Sequence, residues 1–284
     1  MTLRYDTISF LSDYGLGDEF VGVVKSVIRS IAPEVAVVDV THDVAPHDVR
    51  AGGLALARSA QYLVPGVVLA VVDPGVGGNR RAVAVEVGDG ASVLVGPDNG
   101  LLAPAVAMVG GASRAVELTA EHYHLQSPGP TFAGRDVFAP AAAHLCLGTD
   151  LEDLGTPLPV HSLTPGVVPV SRVEGERVFA EVLWVDRFGN MQLNLDPAEI
   201  ELFGPALRLT AGDVGRNVRR VNSYSDLDSG ELGVLVDSYG LVAVAVNRGS
   251  AALELSCMEG DSITVELGGS ASTTPVQLQP KRSD

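Results

Sequence analysis

Four segments interrupt an otherwise apolar pattern with acids, amides and glycines. They are Ser12-Asp13-Tyr14-Gly15-Leu16-Gly17-Asp18, Thr41-His42-Asp43 with Pro46-His47-Asp48, Asp73-Pro74-Gly75-Val76-Gly77-Gly78-Asn79-Arg80-Arg81, and Gly96-Pro97-Asp98-Asn99-Gly100. Asp73 and Arg80 carry the most pointed chemistry. A carboxylate, a glycine-rich turn and an arginine seven residues on can fold back into an ion pair facing a cleft. Such a pair is either a structural salt bridge or a group that handles a proton. Asp13 and Asp18 each suit a helix cap. Gly15 and Gly17 lack the third glycine of a dinucleotide fingerprint, because Phe20 stands in its place. His42 and His47 have no second histidine or cysteine at ligand spacing, and His122 and His124 sit two apart in a polar loop. No metal site is expected. Later in the chain, Asp186-Arg187-Phe188-Gly189-Asn190 could hold an amine and a flat ring, or be a plain hairpin turn. Asp237-Ser238-Tyr239-Gly240 and Asn247-Arg248-Gly249-Ser250 leave the same two readings open.

These loops need a scaffold that gathers strand ends. Thr7–Ser12, Val35–Val40 and Val67–Val72 read as continuous apolar strands, and Ala82–Val87 with Ser92–Val95 as a hairpin. Asp18–Ile31 and Val49–Leu63 have apolar residues at helical spacing, and Phe138–Leu147 reads as a further helix. Val-rich strands separated by helices predict an α/β domain around a mostly parallel sheet covered on both faces. Ligands of such sheets sit beyond the carboxyl ends of the strands, where all four polar segments fall. The texture then changes. Gly155–Ser171 holds Pro157, Pro159, Pro165 and Pro169 and reads as a linker. Beyond it, Arg177–Val185, Met191–Leu195, Ala206–Thr210, Gly233–Val236, Leu241–Val246 and Ser262–Leu267 read as short strands of a smaller all-β barrel or sandwich. The expected division is an N-terminal α/β domain over 1–160, a linker over 161–171, a C-terminal β-barrel over 172–267 and a tail over 268–284.

Composition limits what the loops can bind. The 284 residues carry 19 Lys and Arg against 35 Asp and Glu, a formal charge of −16, and 46% are apolar. That much apolar residue supports a large core and excludes global disorder. A basic stripe for phosphates is missing, so nucleic acid is not an expected partner. The stretch Tyr62–Val72 is too short to span a bilayer and is broken by Pro65 and Gly66, so no membrane association is expected. Arg4 and Asp6 precede a short apolar run unlike a signal peptide. Cys146 and Cys257 read as free thiols. The expected setting is the cytoplasm.

The motifs, taken in order, resemble the S-adenosyl-L-methionine (SAM) hydroxide adenosyltransferases. These adenosine-forming SAM hydrolases are related to the SAM-dependent fluorinase and chlorinase. The resemblance runs from Phe10 to about Leu267 through Ser12-Asp13-Tyr14-Gly15, Val38-Asp39-Val40-Thr41-His42, Asp73-Pro74-Gly75-Val76-Gly77, Pro97-Asp98-Asn99-Gly100, Thr131-Phe132 with Gly134-Arg135-Asp136, Asp186 with Phe188-Gly189-Asn190, and Asn247. It implies a homotrimer in which SAM, as substrate and with no cofactor, lies between one subunit's N-terminal domain and its neighbour's barrel. It further implies that Asp13 holds the ribose hydroxyls and that Asp186 and Ser238 hold the methionine end. Phe188, Asn190 and Asn247 would line the neighbour's side, with Asn247 and the Arg248 backbone near adenine. Asp73 and Arg80 match the first two members of the family's Asp–Arg–His trio, which places the attacking water. The halogenases carry tyrosine at the Asp73 position and the fluorinase carries serine at the Gly134 position. An ionised Asp73 would repel a desolvated halide, so water is the favoured nucleophile.

One position departs from the family. Its motif reads Thr-Phe-His-Gly-Arg-Asp, whereas this chain reads Thr131-Phe132-Ala133-Gly134-Arg135-Asp136. Alanine at the histidine's position implies retained SAM binding and slower turnover. Three other functions stay open at the level of sequence. They are a SAM-dependent halogenase, a non-catalytic protein that binds SAM or adenosine, and an unrelated hydrolase using His42, His47 and nearby carboxylates on a metal.

Overall fold

A computed structural model describes residues 3–268. The chain divides into two compact units, Met1–Val168 and Pro169–Asp284. The tail expected over 268–284 lies outside the described residues apart from Gly268. No helix among the described residues is long and apolar enough to cross a membrane.

The first unit runs β1 (Thr7–Ser12), α1 (Phe20–Ile31), β2 (Ala36–Thr41), α2 (Val49–Ala60) and β3 (Val67–Val71). It continues through β4 (Ala82–Val87), β5 (Ser92–Pro97), α3 (Ala103–Met108), β6 (Ala112–Glu117), α4 (Ala139–Cys146) and β7 (Thr156–Leu158). The sheet order is β2-β1-β3-β5-β4-β6-β7. Pairing is parallel from β2 to β5 and antiparallel from β5 to β7. The antiparallel half follows from short links: β4 and β5 are joined by Gly88–Gly90 with positive φ at all three residues, too tight for a crossover. Every residue of β3 is buried, and its side chains alternate between two cores. Val67, Leu69 and Val71 pack with α1 and α4 residues such as Val24, Ile28 and Leu145. Val68, Ala70 and Val72 pack with Leu56 of α2 and Leu101. Both faces of the sheet are therefore covered, as its uninterrupted Val-rich strands require.

Local differences from the sequence reading have physical causes. In α1 the buried side chains are Val21, Val24 and Ile28, whereas Phe20 at its start is 38% exposed and joins an aromatic cluster instead. β2 is an edge strand with Ala36, Val38 and Asp39 exposed, so its apolar run does not mean burial. Part of the proline-rich stretch is sheet: Thr156–Leu158 pairs with β6, and Arg81 donates to the Ser162 backbone and hydroxyl. Edge strands tolerate proline because one side needs no ladder bond.

The second unit holds β8 (Arg172–Glu174), β9 (Arg177–Val185), β10 (Met191–Leu193), β11 (Ala206–Ala211), β12 (Val214–Arg220), β13 (Leu232–Val236), β14 (Val242–Val246), α5 (Ala251–Leu255) and β15 (Ser262–Leu267). Its strand order is β10-β14-β13-β12-β11-β15-β9-β8, and β10 also pairs with β9. That last pairing closes seven strands into a barrel, with β8 appended outside. Alternate residues fill the interior: Val178, Ala180 and Val182 of β9, Leu207 and Leu209 of β11, Val242, Val244 and Val246 of β14. Closure removes the open sheet edges that would otherwise invite pairing with other chains.

Candidate active site

In the first unit, β1 lies between β2 and β3, with α1 and α2 packed on opposite faces. This is where the chain changes direction across the sheet, and the carboxyl ends of the strands part into a crevice. A cavity of about 380 Å³ opens there, lined by Asp13, Tyr14 and Asp18 after β1, Pro46 and His47 after β2, and Asp73 and Val76 after β3. Thr131, Phe132, Ala133 and Gly134 complete its wall, with Phe20. Three of the four polar loops thus converge as expected. The fourth does not: Asp98 accepts from Arg81 and from Thr164 N–H, and Asn99 bridges Val72 O and Leu101 N–H. That loop braces the sheet rather than lining this cavity.

Arg80 closes on Asp73 with three hydrogen bonds, Nε to Oδ1 at 2.9 Å, Nε to Oδ2 at 3.0 Å and Nη2 to Oδ2 at 2.5 Å. The Asp73 and Arg80 side chains are 6% and 16% exposed, and the guanidinium carbon lies 5.2 Å from the centroid of the Phe138 ring. Asp73 faces the cavity, while Arg80 grips it from behind. Asp13 accepts His47 N–H at 2.9 Å through Oδ2, so it caps no helix and ties the loop after β1 to the loop after β2. Glu19, at the actual start of α1, makes no side-chain cap either.

Ala133, 8% exposed, opens a turn of π-helix, Gly134–Phe138, that leads into α4. Such a wide turn often marks functional sites because it aims side chains that a regular helix would stack. Tyr14 lies directly over Gly134: a Cβ built on Gly134 would collide with the Tyr14 hydroxyl. The Tyr14 ring is wedged among Phe10, Phe20 and Phe132 at centroid distances of 6.4, 5.7 and 5.7 Å. Burial, and then the negative charges of Asp13 and Asp73, push the Tyr14 phenol well above its ordinary value.

A network that sequence spacing did not disclose, running from buried Ser12 and His42 out to half-exposed Asp39 and Lys25, supports this wall. His42 Nδ1 lies 2.7 Å from Ser12 Oγ, its Nε2 lies 3.1 Å from Asp39 Oδ1, and Lys25 donates to Asp39 Oδ2 at 2.6 Å. With Asp39 ionised, His42 Nε2–H donates and Nδ1 accepts the serine proton. Burial opposes ionisation of Asp39, but the Lys25 and His42 hydrogen bonds outweigh it and hold the carboxyl below its usual range. Ser12 is fully buried, so the arrangement is no exposed nucleophile. Its Oγ accepts Tyr14 N–H at 3.3 Å, and His42 O accepts the N–H of Gly15, whose φ of +64° lets the loop turn. His42 thereby fixes the backbone that carries Asp13 and Tyr14. Among the described residues, no group of three or more His, Cys, Asp or Glu could hold a metal ion.

The barrel unit carries a second cavity, of about 540 Å³, lined by Asp186, Phe188, Asn190, Tyr224, Val246, Asn247, Arg248 and Gly249. The β9–β10 turn supplies the first three. Asp186 holds that turn: Oδ1 accepts Phe188 and Asn190 N–H, and Oδ2 accepts Asn190 Nδ2–H at 2.7 Å. Gly189, at φ +84°, packs against Ser250, and its carbonyl accepts Ala252 N–H. This brings the segment after β14 beside the turn. Phe188 stands 76% exposed, and Arg248 takes a left-handed φ of +62°, uncommon for a side chain of its size. Ser238, on the β13–β14 turn, is not among the lining residues. Tyr224 is, and sequence spacing contained no signal for it. Burial, and then Asp186 and Asp237, raise its phenol.

Comparison with known proteins follows the same division. Residues 8–155 match the family model of the SAM hydroxide adenosyltransferase N-terminal domain, and residues 180–264 that of the C-terminal domain. An (R)-S-adenosyl-L-methionine hydrolase of Salinispora tropica is 47% identical over 261 residues, covering 92% of this chain and 98% of that protein. A fluorinase of Nocardia brasiliensis is 28% identical over 300 residues, covering 93% and 98%. The crystal structure of an uncharacterized conserved protein from Thermotoga maritima matches with a TM-score of 0.85 at 37% identity, covering 91% of this chain and 99% of that one.

Proposed function

Because the chain belongs to the SAM hydroxide adenosyltransferase family, we propose that it hydrolyses SAM at C5′ to adenosine and L-methionine. The observation that carries this reading is the Asp73 carboxylate, gripped by Arg80 and turned into the cavity beside Ala133 and Asp13. The sulfonium is already a good leaving group, so the protein's task is to orient SAM and place one water in line with the C5′–S bond. Asp13 offers Oδ1 to a ribose hydroxyl while Oδ2 stays with His47. Asp73 accepts a proton of the attacking water, and Arg80 keeps that carboxylate aimed. As the O–C5′ bond forms, the sulfur takes the C–S electron pair and leaves as methionine.

The remaining half of SAM goes to the barrel cavity of a neighbouring copy, in a homotrimer. There Asp186 meets the methionine ammonium, Phe188 and Asn190 pack along the ligand, and Asn247 and the Arg248 backbone meet adenine; Ser238, outside the cavity's lining, would reach the methionine carboxylate from the β13–β14 turn. The acidic residues Asp13, Asp73 and Asp186 complement the positive charges of the sulfonium and ammonium. Ala133 withholds the imidazole that the family's motif places beside the water, so turnover is reduced while binding is kept. A soluble, cytoplasmic setting fits the supply of SAM.

The decisive experiment incubates the purified chain with SAM and quantifies adenosine and methionine by chromatography, with and without chloride. Stoichiometric adenosine and methionine support the reading. Formation of 5′-chloro-5′-deoxyadenosine would instead make it a halogenase, and tight SAM binding with no product, even from Ala133→His, a binding protein.

A further inference from the structure

Tyr14 holds an unused donor at the cavity wall. Its ring is fixed by three aromatic neighbours, and its hydroxyl has no hydrogen-bond partner among the described residues. The hydroxyl sits over Gly134, next to Ala133, and the charge of Asp73 is felt there. Phe would fill the same apolar niche, so packing alone does not call for the oxygen. Gly134 in turn keeps the space that the hydroxyl occupies.

Resting on the hydrolase reading, we propose that Tyr14 is a further catalytic residue, whose hydroxyl donates to the attacking water from the side left open by Ala133. Asp73 accepts one proton of that water, and Tyr14 donates to one oxygen lone pair. The second lone pair remains for C5′. As the O–C5′ bond forms and the C5′–S bond breaks, the water's proton passes to Asp73 and then to solvent. The Tyr14 hydrogen bond strengthens while the oxygen carries hydroxide character and weakens once the alcohol of adenosine has formed. An interaction made mainly in the transition state raises kcat rather than binding. Burial, with the charges of Asp13 and Asp73, favours the protonated, donating form of the phenol.

The test is a double-mutant cycle on the full chain, Tyr14→Phe with and without Ala133→His, measured as adenosine release from SAM. Tyr14→Phe in the parent is expected to lower kcat about 10- to 100-fold, the range for a hydrogen bond to a charged group, with KM nearly unchanged. In the Ala133→His background the loss should shrink several-fold, because the imidazole then shares the water. Gly134→Ala, which displaces the hydroxyl without altering Tyr14, should reproduce the parent's loss. An unchanged kcat in Tyr14→Phe, an effect on KM alone, or equal losses in both backgrounds would each overturn the proposal. Adenosine release by the parent keeps the hydrolase reading standing in those cases. If neither the parent nor Ala133→His releases adenosine, the hydrolase reading falls and this proposal with it.

Discussion

Deleting Arg80 should expose how much the Asp73 carboxylate depends on it. Asp73 is 6% exposed and receives three hydrogen bonds from one guanidinium, which is itself 16% exposed. Removing one partner of a buried pair costs about 3–5 kcal/mol, mostly because the other charge is left without compensation. One side of Asp73 faces the cavity, where water can replace part of the loss. We therefore expect Arg80→Met, which keeps an apolar stem near Phe138, to lower the unfolding free energy of the first unit by about 2–3 kcal/mol. For a unit of this size that corresponds to roughly 4–12 °C in midpoint. Adding Asp73→Asn removes the stranded charge, so the double variant should recover about 1–2 kcal/mol of that loss. The assay is urea unfolding at pH 7 of the parent, both single variants and the double, at one protein concentration because assembly would shift the midpoint. A loss below about 0.5 kcal/mol for Arg80→Met, or a double variant no more stable than Arg80→Met, would refute the picture of a buried carboxylate held by one arginine.

Ala133→His should raise adenosine release by about 10²–10⁴-fold, the usual contribution of a positioned proton-transfer group, and equal rates would contradict the assigned role of this position. His42→Ala removes a buried ring that bonds Ser12 and Asp39 and packs 4.6 Å from the Phe10 centroid. It should cost about 2–4 kcal/mol in denaturant unfolding, and an unchanged midpoint would dismiss the network. Glu86 supplies a pH signature. The Arg114 hydrogen bond, with Ser113 and Arg4, holds its carboxyl below its ordinary value of 4.5. Because the folded-state pKa is depressed, this stabilisation is complete above about pH 5 and disappears as pH falls through the lower folded value. Glu86→Gln should therefore be less stable than the parent at pH 7, with the gap narrowing as pH falls below the ordinary carboxylate range; a gap independent of pH would exclude the linkage.

Local chemistry made much of this protein legible in its sequence. Thr7–Ser12 and Ser262–Leu267 are strands with the expected bounds, because continuous or alternating apolar runs between turn residues leave few other options. The Asp73–Arg80 pair was readable because a glycine-rich turn of that length can readily double back. Helix α3 and strand β12 were not, since Ala103–Met108 is short and Val214–Arg220 is mostly polar on an exposed barrel wall. The chain by itself thus determined where strands end, which acids and amides stand at those ends, and which family motif Ala133 interrupts. Tertiary structure alone decided which ends meet. The loop after β5 turned away to brace Arg81 and Thr164, whereas Thr131–Gly134, remote in sequence, came to wall the cavity. It also decided that β10 pairs with β9 to close the barrel and that the Tyr14 hydroxyl rests over Gly134. These are contacts between segments whose separation along the chain carries no periodic signal. They are set by the packing of two cores against one sheet and by the closure of one barrel, which no local pattern encodes.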